Sequence, residues 1–190
     1  MKIEEGEYVA IMGPSGSGKS TLLYSLCGMD PLSSGSVQFK DHALEQLSEP
    51  RLARMRLNEM GFVFQQIHLL QNLSIMDNVL LPGYLSKRNP RRLVEDRARE
   101  LLERTGISSL ADRSITQASG GQLQRVGICR ALINQPDIIF GDEPTGALNS
   151  KASAEIMELL TEVNQTGTTI LLVTHDLRIA ARTHRVLLMK

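Results

Sequence analysis

The stretch "YVAIMGPSGSGKST", residues 8–21 of a 190-residue chain, decides the fold. Its first five residues form a short, mostly apolar run that leads directly into Gly13. A helical run follows from Ser20 to Cys27, and Gly28 is placed to end it, because glycine adopts the left-handed conformation that terminates many helices. The order is therefore a buried strand, a tight glycine-rich loop and a helix.

The loop has the spacing G-x-x-x-x-G-K-[ST] of a phosphate-binding loop, in the strand-loop-helix setting that this pattern requires. Its glycines allow successive backbone N–H groups to turn inward on a phosphate. Lys19 is expected to reach the β- and γ-phosphates of a nucleoside triphosphate, and the Ser20 hydroxyl to ligate Mg²⁺. A plain glycine- and serine-rich turn is the alternative, which the flanking strand and helix disfavour. The expected nucleotide-binding residues are Gly13, Pro14, Ser15, Gly16, Ser17, Gly18, Lys19, Ser20 and Thr21.

Composition restricts the class of protein. Lysine and arginine together number 21, as do aspartate and glutamate, so no overall field attracts nucleic acid or an anionic membrane. Cys27 and Cys129 lack metal or redox spacing and fall in apolar helical patterns, which predicts two small buried side chains in a reducing cytoplasm. No apolar run approaches the roughly 20 residues of a membrane-spanning helix, and the acidic N-terminal segment does not resemble a signal peptide.

The rest of the chain predicts an α/β fold. From Asp137 onward, runs typical of strands alternate with runs typical of helices, which predicts a mostly parallel sheet covered on both faces. Residues 36–40 alternate as a surface strand, and residues 90–106 predict a helix with proline at its first position. The apolar face expected for that helix consists of Leu93, Val94, Leu101 and Leu102. We expect one domain over 1–190, with a P-loop NTPase core in 1–65 and 118–190 and a helical insertion in 66–117.

Polar residues follow three of the predicted strands. Asp142 and Glu143 end "DIIFGDE", and successive strand residues point to opposite sides, so the two carboxylates are expected to have different roles. Asp142 would hold hydrated Mg²⁺, and Glu143 would polarise an attacking water. His175 ends "LLVTH" on the edge where parallel sheets bind ligands, which favours a γ-phosphate contact, and Gln65 ends "GFVFQ" as an amide that orients water or Mg²⁺. For Asp142 and Glu143, the alternative is that both are simply solvated at the end of the strand.

A second phosphate-binding device lies a hundred residues after the first. Ser119, Gly120 and Gly121 stand at the start of the predicted helix "GQLQRVGICRAL", where free N–H groups collect anions. The motifs "GPSGSGKST", "FVFQ", "SGGQLQR", "IIFGDEP" and "VTHD" occur in the order of an ATP-binding-cassette (ABC) ATPase, and this resemblance covers essentially the whole chain. The stretches "GFVFQQIHLL", "DEPTGAL" and "LLVTHD" look most like the subgroup for macrolide export, lipoprotein release and antimicrobial-peptide resistance. That subgroup works with FtsX-like permeases.

The resemblance implies a function. Ser119, Gly120, Gly121 and Gln122 would close over the ATP of a second copy, so that two chains in head-to-tail arrangement enclose two ATP molecules with Mg²⁺. Hydrolysis would open this dimer and move a permease, placing the chain in the cytoplasm on the inner face of the cell membrane. The stretch from Gln65 to Leu85 would meet the permease, or it forms the core of the insertion. Two further alternatives are a DNA-repair or chromosome-type ABC ATPase and a nucleotide-dependent dimerisation module with little turnover.

Three departures from the family pattern modify these expectations. Ala118 stands where leucine usually precedes Ser-Gly-Gly, a change expected to have a small effect. Asn149 stands where the family usually has aspartate near the hydrolytic water, which predicts slower or less coordinated hydrolysis, although asparagine caps a helix equally well. The segments at both ends are shorter than the family pattern, which predicts a truncated cassette with a small antiparallel part. Tyr8 lies within a strand and is not assigned the adenine-stacking role.

Overall fold

The computed structural model describes all 190 residues and contains a five-stranded parallel sheet, a two-stranded antiparallel sheet and seven α-helices. The strands are β1 (Tyr8–Met12), β2 (Gln38–Phe39), β3 (His42–Ala43), β4 (Met60–Phe64), β5 (Ile138–Asp142), β6 (Thr169–Val173) and β7 (Arg185–Leu188). The helices are α1 (Lys19–Leu26), α2 (Glu49–Glu59), α3 (Ile75–Ser86), α4 (Arg91–Arg104), α5 (Gly120–Leu132), α6 (Ser150–Gln165) and α7 (Leu177–Ala180). The predicted parallel sheet and small antiparallel pair are confirmed.

The large sheet has the strand order β4-β5-β6-β1-β7. All five residues of β1 and of β6 are buried, as expected for parallel strands with helices on both faces. The register pairs Phe64 with Asp142, Asp142 with Val173, and Ile11 with Val173. The carboxyl ends of β4, β5, β6 and β1 are therefore level, and one edge of the sheet collects the residues that follow these strands.

The two faces of the sheet feed two apolar clusters. Tyr8 and Ile170 pack towards α6, whereas their neighbours Val9 and Leu171 pack towards α1 and α2. This division follows from the alternation of side chains along a strand. The sheet is therefore a rigid platform between two cores, which fixes the position of its carboxyl edge.

A third apolar cluster lies among α3, α4 and α5. It includes Ile75 and Val79 of α3, Leu102 of α4, and Val126 and Cys129 of α5. The segment from Gln65 to Leu85 thus supplies much of this core, one of the two alternatives left open for it. Since α5 contributes to the same cluster, the boundary of the insertion at residue 117 stays a prediction.

Three local predictions are corrected. Leu93 is 53% exposed, and the buried face of α4 contains Ala98 in its place; Leu93 lies in the first turn, next to buried Val94, and turns away from the core. Pro90 is the N-cap rather than the first helical residue. The surface strand is only Gln38–Phe39, because its one partner, β3, is itself two residues long.

Both cysteines are free and buried, as predicted. Burial raises the pKa of the Cys27 and Cys129 thiols to about 11, so neither is a thiolate at neutral pH. None of the helices has both the length and the apolar character that crossing a membrane requires.

Candidate functional site

The glycines of the loop between β1 and α1 set its path. Gly16 and Gly18 have φ values of 80° and 86°, in the left-handed region that favours glycine. A Cβ atom at Gly13 would lie 2.6 Å from the Met189 carbonyl oxygen and 2.9 Å from Ser17 Oγ. No larger residue fits at Gly13 without moving the backbone, because Met189 and the loop's own Ser17 lie directly against it.

Lys19 and Ser17 are polar side chains of this loop with hydrogen-bonding capacity left unused. Lys19 is only 9% exposed, and its Nζ donates to the carbonyl oxygens of Pro14 at 2.7 Å and Gly13 at 3.1 Å. An ammonium group has three donors, so one remains. Ser17 Oγ is buried without a hydrogen-bond partner. A spare charged donor and an unpaired buried hydroxyl in one loop fit a phosphate group.

Asp142 faces α1 from the end of β5. Ser20 Oγ donates to its Oδ1 at 2.9 Å, and the Tyr24 hydroxyl donates to its Oδ2 at 2.6 Å. Burial, together with the hydrogen bond to Asp142, raises the pKa of Tyr24 to about 12, so the phenol is protonated at neutral pH. A hydroxyl and a carboxylate beside a phosphate loop are oxygen donors that fit Mg²⁺, which binds through one or two carboxylates plus phosphates.

Glu143 turns away from Asp142. Glu143 follows the end of β5 with a φ of 49°, and its Oε2 lies 2.6 Å from His175 Nδ1. The two carboxylates therefore have different partners, as expected. The cause is the left-handed backbone at Glu143, whereas the sequence argument relied on strand alternation.

Gln65 lies at the same edge as these carboxylates. Its backbone N–H donates to the Asp142 carbonyl oxygen at 2.9 Å. A Cβ atom at Gly146 would lie 3.0 Å from Gln65 Nε2, so the amide packs against the turn that follows Glu143. The structure thus brings Ser20, Gln65 and Asp142 to one edge, with Glu143 and His175 paired directly beyond it.

The Ser-Gly-Gly segment is built differently. Ser119 is the N-cap of α5 and forms a capping box, in which Ser119 N donates to Gln122 Oε1 at 2.8 Å and Gln122 N donates to Ser119 Oγ at 3.4 Å. The N–H groups of Gly120 and Gly121 have no hydrogen-bond partner in the chain. Two backbone donors are therefore free at the positive end of a helix.

These donors face a cavity of about 470 Å³ between the starts of α5 and α6. Asn149 lines this cavity and caps α6, its Oδ1 accepting from Ala152 N at 2.9 Å. Arg125 and Glu155, paired at 2.7 Å, form another part of the wall. No residue of the phosphate loop lines it, so the two devices do not form one site within the chain.

Tyr24 is the residue of this site that the sequence reasoning missed. It lies four residues after Ser20 on α1, and residues at this spacing share a helix face. That spacing is a usable signal, because Ser20 is fixed by the loop motif. A tyrosine one turn further on reaches whatever Ser20 faces.

Comparison with known proteins assigns the family. The family model described as ABC transporter matches residues 1–146. The macrolide export ATP-binding/permease protein MacB of Rhodopseudomonas palustris is 46% identical over 98% of this chain, which spans 28% of MacB. The lipoprotein-releasing system ATP-binding protein LolD 2 of Rhodospirillum rubrum is 46% identical over 96% of this chain and 80% of LolD 2.

A solved structure supports the same assignment. The ATP-binding cassette MJ0796, in a dimeric post-hydrolysis state bound to ADP and Pi, superposes with a TM-score of 0.91 at 40% identity, over 100% of this chain and 84% of that one. The predicted resemblance, including its subgroup, is confirmed by these relatives. The sequence motifs, the parallel sheet and these matches agree, and the chain therefore belongs to the ABC transporter family as one of its ATP-binding cassettes.

Proposed function

We propose that the chain is the ATP-binding and ATP-hydrolysing motor subunit of an ABC transporter. One observation carries the proposal: Ser20 and Asp142 share a hydrogen bond at the carboxyl edge, and the next residue, Glu143, turns to His175. A metal-holding pair and a base-and-histidine pair thus lie side by side next to a phosphate loop. This arrangement suits in-line attack of water on a γ-phosphate.

The chain's own residues divide the work. The loop N–H groups and Lys19 bind the phosphates, and Ser20 with Asp142 would hold Mg²⁺, which would neutralise charge on the transferred group. Glu143 accepts a proton from the attacking water, and its contact with His175 orients that carboxylate. Gln65, directly after β4, would orient the attacking water or the Mg²⁺ ion through its side-chain amide.

Ser119, Gly120, Gly121 and Gln122 complete the site of a second copy. The unpaired N–H groups of Gly120 and Gly121 suit a γ-phosphate that the same chain's loop does not supply. Two chains related by a two-fold axis would each provide one loop and one such helix start. The dimeric MJ0796 structure supports this arrangement.

The permease partner is proposed to dock beside Gln65. A mostly apolar groove of about 290 Å³ lies next to the edge strand β4, lined in part by Phe62, Phe64 and Pro82. MacB is named an ATP-binding/permease protein, which supports an FtsX-like permease and a position on the inner face of the cell membrane for this chain. Movement of this groove on dimer opening would transmit the free energy of hydrolysis.

The test uses the Glu143→Gln variant, which should bind ATP and lose at least about 100-fold in turnover. Light scattering should give twice the monomer mass with Mg-ATP and the monomer mass without it. Adding Ser119→Arg should abolish the doubling, because the long side chain fills the space before α5. Ser109→Arg, at another exposed serine, is the matched control and should still dimerise. A monomer that demonstrably binds ATP would contradict the proposal.

A second candidate function is a nucleotide-dependent dimerisation module with little turnover. Asn149 favours it, because a neutral amide lines the cavity where the family usually has a carboxylate. Phosphate release by the unmodified chain separates the two functions. Dimers that form with ATP but release no phosphate over many dimer lifetimes support the second candidate, and steady release supports the motor.

A further inference from the structure

Tyr24 holds the carboxylate that faces the phosphate loop. Its hydroxyl donates to Asp142 Oδ2 at 2.6 Å while Ser20 Oγ donates to Oδ1 at 2.9 Å. Both oxygens of Asp142 thus accept from α1, from side chains one helical turn apart. A carboxylate held at both oxygens cannot rotate about its χ2 bond without breaking a charge-assisted hydrogen bond.

The Tyr24 ring is itself held in place. It packs edge-on against Phe64 with 6.3 Å between ring centroids, and Phe64 stacks on Phe62 at 5.9 Å. Phe64 pairs in register with Asp142, so the ring rests on the strand beside the carboxylate that its hydroxyl holds. The position of the hydroxyl is therefore fixed by packing as well as by its own hydrogen bond.

The backbone of Tyr24 takes part in ending α1. Its carbonyl oxygen accepts from Met29 N at 2.9 Å and from Asp30 N at 3.2 Å. These bonds are made by the backbone and persist when the phenol oxygen is removed. A phenylalanine at this position therefore keeps the helix end and the ring contact and loses only the hydrogen bond to Asp142.

We propose that Tyr24 is a positioning residue for the Mg²⁺ site, whose hydroxyl keeps Asp142 Oδ1 directed at Ser20. The inference rests on the proposed function, in which Ser20 and Asp142 hold the metal. Hydrogen bonds that orient a ligating carboxylate act on metal affinity, and their loss costs about tenfold or more. Without the Tyr24 hydroxyl, Asp142 samples other rotamers, and the ordering must then be supplied when the metal binds.

The effect is specific to the metal. In the proposed function Lys19 and the loop backbone bind the phosphates, and the Tyr24 hydroxyl contributes no hydrogen bond to either, because Lys19 Nζ donates to Gly13 and Pro14 whereas the hydroxyl donates to Asp142. Removing the hydroxyl should leave nucleotide binding in the absence of divalent cation unchanged. A residue with a merely structural role would instead weaken both forms of binding, because it would distort the loop.

The experiment titrates Mg²⁺ into the purified chain with a fixed concentration of a fluorescent ADP analogue. ADP excludes turnover and ATP-driven dimerisation from the signal. For Tyr24→Phe, the half-saturating Mg²⁺ concentration should rise about tenfold. Affinity for the same analogue in EDTA should stay within about twofold of the unmodified chain. Binding of Mn²⁺, followed by its electron paramagnetic resonance signal, should weaken in parallel.

Tyr84→Phe is the matched control. The Tyr84 hydroxyl also donates to a carboxylate, Glu95 Oε1 at 2.9 Å, in the helical part of the chain away from the phosphate loop. This variant should leave the Mg²⁺ titration unchanged. If Tyr24→Phe does not fold, Tyr24→Leu removes the same hydroxyl together with the ring contact to Phe64, and its Mg²⁺ titration is then compared with its own affinity in EDTA.

The outcomes separate a failure of the proposed function from a failure of the inference about Tyr24. An unmodified chain that binds no nucleotide, or binds it without regard to Mg²⁺, contradicts the proposed function itself. An unmodified chain that requires Mg²⁺ beside a Tyr24→Phe variant with the same half-saturating concentration overturns the inference alone. Equal weakening in Mg²⁺ and in EDTA also overturns it, because the role of Tyr24 is then structural.

Discussion

The phosphate loop (residues 13–21) and the signature segment (residues 119–122) both present N–H groups at the start of a helix, yet they are built with different contacts. In the loop, the charged Lys19 donates to two loop carbonyls, and Ser20 reaches the carboxylate of Asp142. In the signature segment, neutral Ser119 and Gln122 cap each other. The phosphate loop is therefore bonded to β5 of the large sheet, whereas the capping side chains of the signature segment bond to each other.

This difference explains how one chain carries two phosphate-binding devices. The loop has the cation, the hydroxyl and the carboxylate that a nucleotide with Mg²⁺ requires. The signature segment has two free N–H donors and a cavity, but no loop residue lines that cavity. We therefore expect changes in the loop to weaken binding by the single chain, and changes in the signature segment to weaken assembly only.

The largest expected effect comes from Lys19→Ala. Loss of a charge-assisted contact to phosphate costs about 3 kcal/mol, which corresponds to roughly a 100-fold weaker dissociation constant for nucleotide. Binding of a fluorescent ADP analogue to the monomer measures it. Lys151→Ala removes an exposed lysine at the start of α6 and should bind as the unmodified chain does. Equal affinity of the two variants would show that Lys19 serves only its own loop.

Gln122→Ala tests the signature segment. It leaves Ser119 N without its acceptor, and loss of a helix cap costs about 1 kcal/mol of stability. In a Glu143→Gln background, ATP-driven dimerisation should weaken by about tenfold, because the helix start that meets the phosphate is less ordered. Nucleotide affinity of the monomer should not change. Gln117→Ala, at an exposed glutamine before α5, is the control for both measurements.

Sequence reasoning found both devices because each is encoded within a few consecutive residues. The glycine spacing of residues 13–20 and the Ser-Gly-Gly before an apolar helix are local patterns, and the apolar runs of β1, β5 and β6 predict a buried parallel sheet without knowledge of their partners. The places of Gln65 and His175 at strand ends suggested their roles, and the family resemblance then supplied the second copy and the permease.

What it missed depends on contacts across the chain. Tyr24 and Asp142 are 118 residues apart, so the spacing from Ser20 indicates the helix face on which Tyr24 lies, but only the strand order brings Asp142 to that face. Leu93 shows the limit of periodicity, since a helix face is decided by where its partners lie. The left-handed backbone of Glu143 is held by the turn that follows β5, and a non-glycine residue in that conformation carries no sequence signal.

Asn149→Asp tests the contribution of charge to the cavity that the signature segment lines. Aspartate and asparagine cap helices equally well, so unfolding stability should change by less than about 0.5 kcal/mol. A carboxylate is a stronger hydrogen-bond acceptor than an amide, and single-turnover hydrolysis should become about threefold faster. Ser150→Ala, at the adjacent exposed position, controls for disturbance of the start of α6. An unchanged rate would contradict the prediction that Asn149 slows hydrolysis.

The smallest expected effect concerns the ion pair at the start of α7. Hydrogen bonding from Arg178 lowers the pKa of Asp176 to about 2, and Asp176 also caps α7 directly after His175. A carboxyl group with a depressed pKa stabilises the folded state above its unfolded pKa and loses this contribution as pH falls from about 4 to about 2. Arg178 is largely exposed, so solvent screens the pair and the contribution is small. Asp176→Asn keeps a capping side chain and removes the charge. By denaturant unfolding it should be slightly less stable than the unmodified chain at neutral pH, with the difference shrinking on acidification through that window. Asn149→Ser is the control, because the neutral Asn149 caps α6 and has no charge to lose. The stability difference between this variant and the unmodified chain should stay constant over the same pH range. A constant difference for Asp176→Asn as well would mean that the charge of Asp176 does not stabilise the folded state.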